Sequence, residues 1–223
     1  MVTTQGDRTH FSVILDRTGS MQSIRQDTIG GFNRFLGEQQ AQPSPATLTL
    51  VQFDSQDPYE VLQAFTPIGM VPQLTEATYV PRASTPLFDA IGRGINDLAS
   101  RLQAMSEDQR PQKVVFVIVT DGQENASREF KGDQIRRMID ERRRAGWNFV
   151  FLSADEQAIK DGGSVGIDAD YSLGVAKHAR GSRQMWSAVS DRAVLYRKAA
   201  AADMSLRDIK QAIEREATEG DQA

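Results

Sequence analysis

Short apolar runs alternate along the chain with longer stretches in which apolar residues recur at helical spacing. The short runs predict six strands, at residues 10–15, 47–53, 59–65, 113–119, 148–152 and 171–175. The run VVFVIV at 114–119 has no polar alternation, which is typical of a central strand covered on both faces. Strands that alternate with helices favour a mostly parallel sheet between two helical layers.

The longer stretches predict helices. They are expected from about residue 21, from Pro86, over 132–145, near 156 and over 182–199. Gly30 and Gly31 fall inside the first helix, where a glycine costs about 1 kcal/mol relative to alanine. The pair therefore indicates either a close packing contact or a break in that helix.

The connections between these elements predict the topology. The turn between the second and third strands is too short for a parallel crossover, so the third strand should be an antiparallel edge strand. Residues 66–84 form a long segment with three prolines, and a loop of this length is usually functional or mobile. The predicted fold class is α/β and doubly wound: a mostly parallel sheet of about six strands, one antiparallel edge strand, and helices on both faces.

Length and composition indicate an ordinary globular domain. The chain has 223 residues, of which 39% are hydrophobic and 25% charged. We expect an N-terminal extension over 1–8, one domain over 9–199 and a helical tail over 200–223. The longest apolar run is too short to span a bilayer, and the first residues lack a basic segment followed by an apolar one, so we expect a cytoplasmic protein with no membrane contact.

The net charge and the numbers of cysteine and histidine residues argue against several kinds of partner and metal site. The net charge of −4 argues against a nucleic-acid partner, which requires a basic face. The absence of cysteine excludes disulfides and thiolate zinc sites, and two histidines argue against a histidine-based metal site.

Oxygen-bearing side chains lie where three predicted elements begin or end. They are Asp16, Thr18 and Ser20 after the first strand, Thr85 before a helix, and Asp121 after the strand at 113–119. The carboxyl ends of parallel strands share one edge of a sheet, which is where α/β proteins bind ligands. Alternation along the first segment lets its three oxygen-bearing side chains point to one side, while Arg17 and Gly19 point away.

The donor types predict a hard cation. Hydroxyl and carboxylate oxygens suit Mg²⁺, which takes about six oxygen ligands, and Mn²⁺ or Ca²⁺ could substitute. Two carboxylates leave a doubly charged ion ready to accept another anionic oxygen if water separates either of them from it. Each residue alone has a simpler explanation as a helix cap or a strand exit, whereas five in this order favour a site.

Three motifs resemble the von Willebrand factor A-like domain family. They are Asp16-Arg17-Thr18-Gly19-Ser20-Met21, Ser84-Thr85-Pro86-Leu87 and Thr120-Asp121-Gly122. The family's metal-ion-dependent adhesion site (MIDAS) is written D-x-S-x-S, then a Thr, then an Asp. The resemblance therefore implies that Asp16, Thr18, Ser20, Thr85 and Asp121 bind the metal. Thr18 replaces the commoner serine but keeps the hydroxyl. The resemblance covers about residues 9–199 and is weak after 155.

The resemblance also implies a function. It predicts a non-enzymatic interaction module whose metal is completed by a Glu or Asp carboxylate of a partner protein, in a bacterial or phage system. Similar intracellular domains serve as adaptors of MoxR-type AAA+ ATPases or accompany kinase and phosphatase modules. In related domains the last helix moves on ligand binding, which makes helix 182–199 and the tail candidates for transmission.

Two other functions remain open. A phosphoryl hydrolase or transferase of the haloacid-dehalogenase type would use Asp16 as its nucleophile, but Thr18 occupies the position of the second acid and cannot act as a general acid. A structural subunit with an unoccupied site is the other alternative.

Three further features receive simple interpretations. Asp54 is expected to be solvated rather than to support the metal site. The arginines at 136, 137, 142, 143 and 144 are interleaved with acidic residues and predict a solvated helix face. The glycines of 162–166 lack a P-loop lysine and predict an ordinary loop.

Overall fold

The computed structural model describes residues 8–121, 124–153 and 172–174, together with positions 186, 190, 191, 193, 194, 196 and 197. Its strands are β1 (Thr9–Asp16), β2 (Ala46–Phe53), β3 (Glu60–Pro67), β4 (Lys113–Thr120), β5 (Trp147–Ser153) and β6 (Ser172–Gly174). They form one sheet in the order β3-β2-β1-β4-β5-β6. The β2–β3 pair is antiparallel and the other four pairs are parallel, which confirms the predicted topology.

Two helical layers cover the sheet. The helices are α1 (Arg25–Gln40), α2 (Leu87–Ala104) and α3 (Gly132–Arg144). Successive side chains of a strand point to opposite faces, so Phe11, Val13 and Leu15 pack towards α1 whereas Ile14 packs towards α2 and α3. Helices therefore lie on both faces, as a doubly wound fold requires.

Two helix boundaries differ from the prediction. The chain first forms a 3-10 helix, Gly19–Ile24, and α1 begins only at Arg25. The backbone N–H of Thr18 donates to the Asp16 carboxylate (2.7 Å), and Thr18 is extended (φ −73°, ψ 169°). This hydrogen bond holds the chain in a loop beyond β1. Pro86 precedes α2 rather than forming its first residue.

The glycine pair marks a packing contact. Helix α1 is continuous through both glycines, and Gly31 lies against the indole ring of Trp186. Trp186, Ala193 and Tyr196 are buried, as predicted for the last helix. The predicted helix near 156, the glycine loop at 162–166 and the tail from 200 lie outside the described residues.

The arginines of α3 lie on a largely solvated face, as predicted. Arg136, Arg137 and Arg144 are exposed, and Arg137 pairs with Asp133 one turn away at 3.2 Å. Arg142 is partly buried and covers the Trp147 ring at 5.7 Å. Among the described residues, no helix is long and apolar enough to cross a membrane.

Candidate metal site

The predicted residues meet at the carboxyl edge of the sheet. Thr85 Oγ1 donates to Thr18 Oγ1 at 3.3 Å, Thr18 Oγ1 lies 3.2 Å from Ser20 Oγ, and Ser20 Oγ donates to Asp121 Oδ1 at 2.6 Å. These contacts join three loops that are distant in sequence. We call Asp16 and these four residues the oxygen cluster.

Asp16 forms the buried base of the cluster. Its Oδ1 accepts the Thr18 backbone N–H, and its Oδ2 accepts the Thr120 hydroxyl at 2.6 Å. Burial raises the pKa of Asp16 to about 7 despite these hydrogen bonds, and the nearby Asp121 carboxylate adds a smaller rise. The ionised form of Asp16 is therefore costly unless a cation lies nearby.

The five residues of the cluster differ in solvent exposure. Asp16, Thr18 and Thr85 are buried, Asp121 is 9% exposed, and Ser20 is exposed. The cluster therefore has a closed side against the sheet and an open side at Ser20. A ligand from solvent can reach the oxygens from that open side.

The oxygen spacing fits a hard cation. Adjacent ligands of an octahedral Mg²⁺ ion lie about 3.0 Å apart when each metal–oxygen distance is about 2.1 Å. The three contacts that run from Thr85 to Asp121 span 2.6 to 3.3 Å, which brackets that value. In the described part of the chain no group of three or more His, Cys, Asp or Glu is placed to hold a metal. A cation here would therefore depend on hydroxyl oxygens as well as on the two carboxylates.

Asp54 is buried, so the prediction that it is solvated is wrong. It accepts Arg17 Nε at 2.6 Å and Arg82 Nε at 2.9 Å, and its side chain has no exposed surface. Burial raises its pKa, but hydrogen bonds from Arg82, from Arg17 and from backbone N–H groups outweigh this and lower the pKa below its usual value. Because Asp54 directly follows β2, which pairs with β1, it meets Arg17, the side chain of the loop at residues 16–20 (the metal loop) that turns away from the cluster.

Arg17 ties the metal loop to the edge of the sheet. It is 6% exposed, and its guanidinium also contacts the carboxylate of Glu60 and Gln52 Oε1. Arg17 thus points away from the cluster, as predicted, but into a buried ion-pair network rather than into solvent. In the sequence, Arg17 is a charged residue between two predicted metal ligands. Nothing in that pattern indicates that its side chain joins a buried ion-pair network.

The loop that carries Thr85 is attached to the metal loop by backbone hydrogen bonds. Arg82 N donates to Arg17 O at 2.8 Å, and Gly19 N donates to Ala83 O at 3.0 Å. The Tyr79 hydroxyl donates to Asp16 O at 2.6 Å from a fully buried position. The long segment 66–84 is therefore part of the site's framework.

Two carboxylates link the start of α2 to the segment that follows Asp121. Glu124 accepts the backbone N–H of Phe88 in the first turn of α2 at 2.9 Å. Asp89, within α2, accepts the backbone N–H groups of residues 128, 129 and 130 at 2.8 to 2.9 Å. Asn125 Oδ1 also accepts Thr85 N at 2.9 Å. Sequence reasoning missed these residues because acidic side chains near a helix start are usually solvated caps.

Comparison with solved structures places the fold. The mussel byssus protein PTMP1, described with a zinc-occupied MIDAS motif, matches with a TM-score of 0.53 and 13% identity over 85% of this chain and 47% of that one. A von Willebrand factor type A protein from Catenulispora acidiphila matches with a TM-score of 0.53 and 11% identity over 85% of this chain and 43% of that one. This chain therefore spans less than half the length of either protein.

A third match has a similar score. The manganese-loaded TRAP protein of Plasmodium vivax gives a TM-score of 0.55 and 10% identity over 80% of this chain and 72% of that one. Sequence comparison finds no matching family model and no matching curated protein. At these identities the likeness shows a shared fold.

Proposed function

We propose that this chain, which has the von Willebrand factor A fold, is a metal-dependent protein-interaction module. Its metal ligands would be Asp16, Thr18, Ser20, Thr85 and Asp121. The observation that carries the proposal is the continuous set of oxygen contacts from Thr85 to Asp121, which is closed towards the sheet and open at Ser20.

The charges of the cluster support binding of a partner carboxylate. Asp16 is fully buried, whereas Asp121 is 9% exposed and accepts the hydroxyl of the exposed Ser20, so Asp121 is the carboxylate nearer to the open side. A bound divalent cation would supply a Lewis-acidic position that accepts one more anionic oxygen. We propose that a Glu or Asp side chain of a partner protein provides it.

Mg²⁺ is the cation that we propose. The donors are oxygens only, which Mg²⁺ prefers, and Mn²⁺ or Ca²⁺ would suit the same donors. The metal-containing matches hold zinc and manganese, which supports a divalent cation.

Burial of Asp16 favours binding over catalysis. A phosphoryl-transfer nucleophile has to reach its substrate, whereas Asp16 is fully buried. Under the hydrolase alternative, a generic phosphate ester would be turned over and Asp16→Asn would abolish the turnover. Under the structural-subunit alternative, metal would neither bind nor stabilise the protein.

A metal titration tests the site. We expect Mg²⁺ and Mn²⁺ to give binding heat and to raise the melting temperature, because only the folded chain assembles the cluster. Asp121→Ala should abolish both effects while remaining folded without metal. Asp133→Ala, which removes an exposed carboxylate from α3, serves as the matched control. Wild-type protein that shows no metal-dependent heat or stabilisation would refute the proposal.

A pull-down tests the interaction. We propose an intracellular adaptor in a bacterial or phage system, with a MoxR-type AAA+ ATPase or a kinase or phosphatase module as the candidate partner. Capture from the native cell should be lost with EDTA and with Asp121→Ala. A partner retained under both conditions would show that the metal plays no part in binding.

A further inference from the structure

We infer that the partner presents an acidic segment rather than a single acidic residue, with its additional carboxylates binding Arg82 and Arg128. This inference rests on the proposed function, since it places one partner carboxylate at the oxygen cluster. The two additional contacts would be made by the guanidinium groups of Arg82 and Arg128, which lie on the two loops that border the cluster.

Arg82 lies beside the metal loop in a fixed position. Its backbone N–H is bonded to Arg17 O, and its Nε is held by the buried carboxylate of Asp54. Its side chain is nevertheless 43% exposed. Within the described residues its terminal guanidinium nitrogens have no recorded partner. Asp54 thus orients Arg82 and leaves the end of the guanidinium available to a second carboxylate.

Arg128 lies on the loop that follows Asp121. The Asp89 carboxylate fixes its backbone N–H at 2.8 Å, and its side chain is exposed. For the stretch that the structure describes, no acidic side chain is recorded against its guanidinium. Its loop lies next to Thr85 because Asn125 N donates to Thr85 O at 3.1 Å.

A groove of about 500 Å³ lies between Arg128 and the segment that carries Thr85. Residues that line it include Ser55, Ser84, Pro86, Asn125, Ser127 and Arg128. Ser84 and Pro86 flank Thr85 in sequence, so the groove lies beside the segment that carries Thr85.

The acidic residues of this groove are already engaged. Asp89 accepts three backbone N–H groups, and Glu129 pairs with Arg93. Glu124, at the base of the same loop, accepts the Phe88 and Ser127 backbone N–H groups. The groove lining as a whole is neutral, because Asp89 and Glu129 balance Arg93 and Arg128, but Arg128 is exposed and has no acidic partner among the described residues. Its guanidinium is therefore available to a carboxylate of a partner.

Peptides test the inference on the full chain with Mn²⁺ in excess. Two labelled, end-blocked pentapeptides are compared by fluorescence anisotropy: one with a central glutamate among glutamines, and one with five glutamates. Exposed ion pairs change affinity by about two- to five-fold each. We expect the five-glutamate peptide to bind several-fold more tightly, and Arg82→Gln and Arg128→Gln each to remove about two- to five-fold of that gain.

The controls separate the inference from the proposed function. Arg136→Gln removes the same charge from an exposed position on α3 and should change neither affinity. The one-glutamate peptide should bind Arg128→Gln as it binds the wild type. Arg82→Gln is compared through the ratio of its affinities for the two peptides, because Arg82 also pairs with Asp54 beside the cluster. Equal affinities of the two peptides, or arginine variants that behave like Arg136→Gln, would overturn the inference and leave metal-dependent binding intact. Binding of neither peptide, or binding that is unchanged by EDTA, would overturn both.

Discussion

The indole ring of Trp186 packs directly against Gly31 of α1, so that a Cβ built on this glycine would lie 2.5 Å from the indole Cγ. The contact joins α1 to the buried face of the last helix, which also contributes Ala193 and Tyr196 to the core. A side chain at position 31 would force these two elements apart.

Gly31→Ala should therefore destabilise the protein. Overpacking of a core contact costs about 1–3 kcal/mol. Gly30→Ala is the matched control, because Gly30 is exposed on the same helix with nothing within 4 Å of a built Cβ. That control should gain about 0.5–1 kcal/mol from helix propensity. Urea unfolding measures both, and a Gly31→Ala variant as stable as Gly30→Ala would contradict the packing.

Stability should fall in acid because of His10. This side chain is fully buried, stacks on Phe65 at 3.8 Å, and lies 2.8 Å from Thr47 Oγ1 through Nδ1. Burial, with a smaller contribution from Arg101, lowers the pKa of His10 from its ordinary value of 6.5 to about 3. Between these values the unfolded chain binds the extra proton, so stability is lost as the pH falls below about 6.5.

The loss attributable to His10 should be about 1 kcal/mol at pH 5.5. The free energy of unfolding, measured against pH for the wild type and for His10→Gln, isolates this contribution from that of the carboxylates. The two curves should converge as the pH falls from 7 to 5.5. Parallel curves would mean that His10 has the same pKa in the folded and the unfolded chain.

Asp54→Asn should weaken the fold. It removes the carboxylate that pairs with the buried Arg17 and the partly exposed Arg82. Arg17 keeps its contact with Glu60, so we expect a cost of about 1–3 kcal/mol, less than that of an unpaired buried charge. Glu38→Gln, which breaks the exposed pair with Arg34 in α1, should cost about 0.5 kcal/mol or less. Thermal and urea unfolding compare the two. Similar losses for both variants would show that the buried network adds nothing to stability.

Removal of one hydroxyl from the oxygen cluster should weaken metal binding. Thr85→Val keeps the shape of a buried side chain but deletes Oγ1, so we expect Mn²⁺ affinity to fall about ten- to a hundred-fold. Thr18→Ser keeps its hydroxyl and should bind nearly as well as the wild type. Calorimetric titration measures both, and unchanged affinity in Thr85→Val would remove this residue from the site.

The spacing of apolar residues predicts most of the fold, because burial of one or both faces of a helix or strand produces that spacing. The uninterrupted apolar run of β4 and the short turn before β3 identify a central strand and an antiparallel edge strand, and both are observed. The start of α1 differs from the prediction because residues 19–24 form a 3-10 helix, and six residues are too few for apolar spacing to distinguish it from an α-helix.

The geometry of a parallel sheet explains why the site residues meet at one edge. It does not predict the contacts that hold the surrounding loops in place. Parallel strands bring Asp16 and Asp121 to one edge, so their proximity could be predicted. Burial of Asp54 depends on Arg17 and Arg82, which are 37 and 28 residues away along the chain. Single-sequence reasoning evaluates each charge against solvent and therefore assigned Asp54 to the surface.

The irregular shape of strand β3 determines whether a strand of another molecule can pair with this edge of the sheet. It lies at one edge of the sheet, where unpaired backbone groups invite another strand. Its register with β2 shifts near Leu48 and Leu50, and Phe65 has a left-handed backbone with φ of 50°. A regular strand cannot continue the ladder across such a distorted edge, so β3 protects this side of the molecule from edge-to-edge aggregation. Recognition on this side has to be made by side chains.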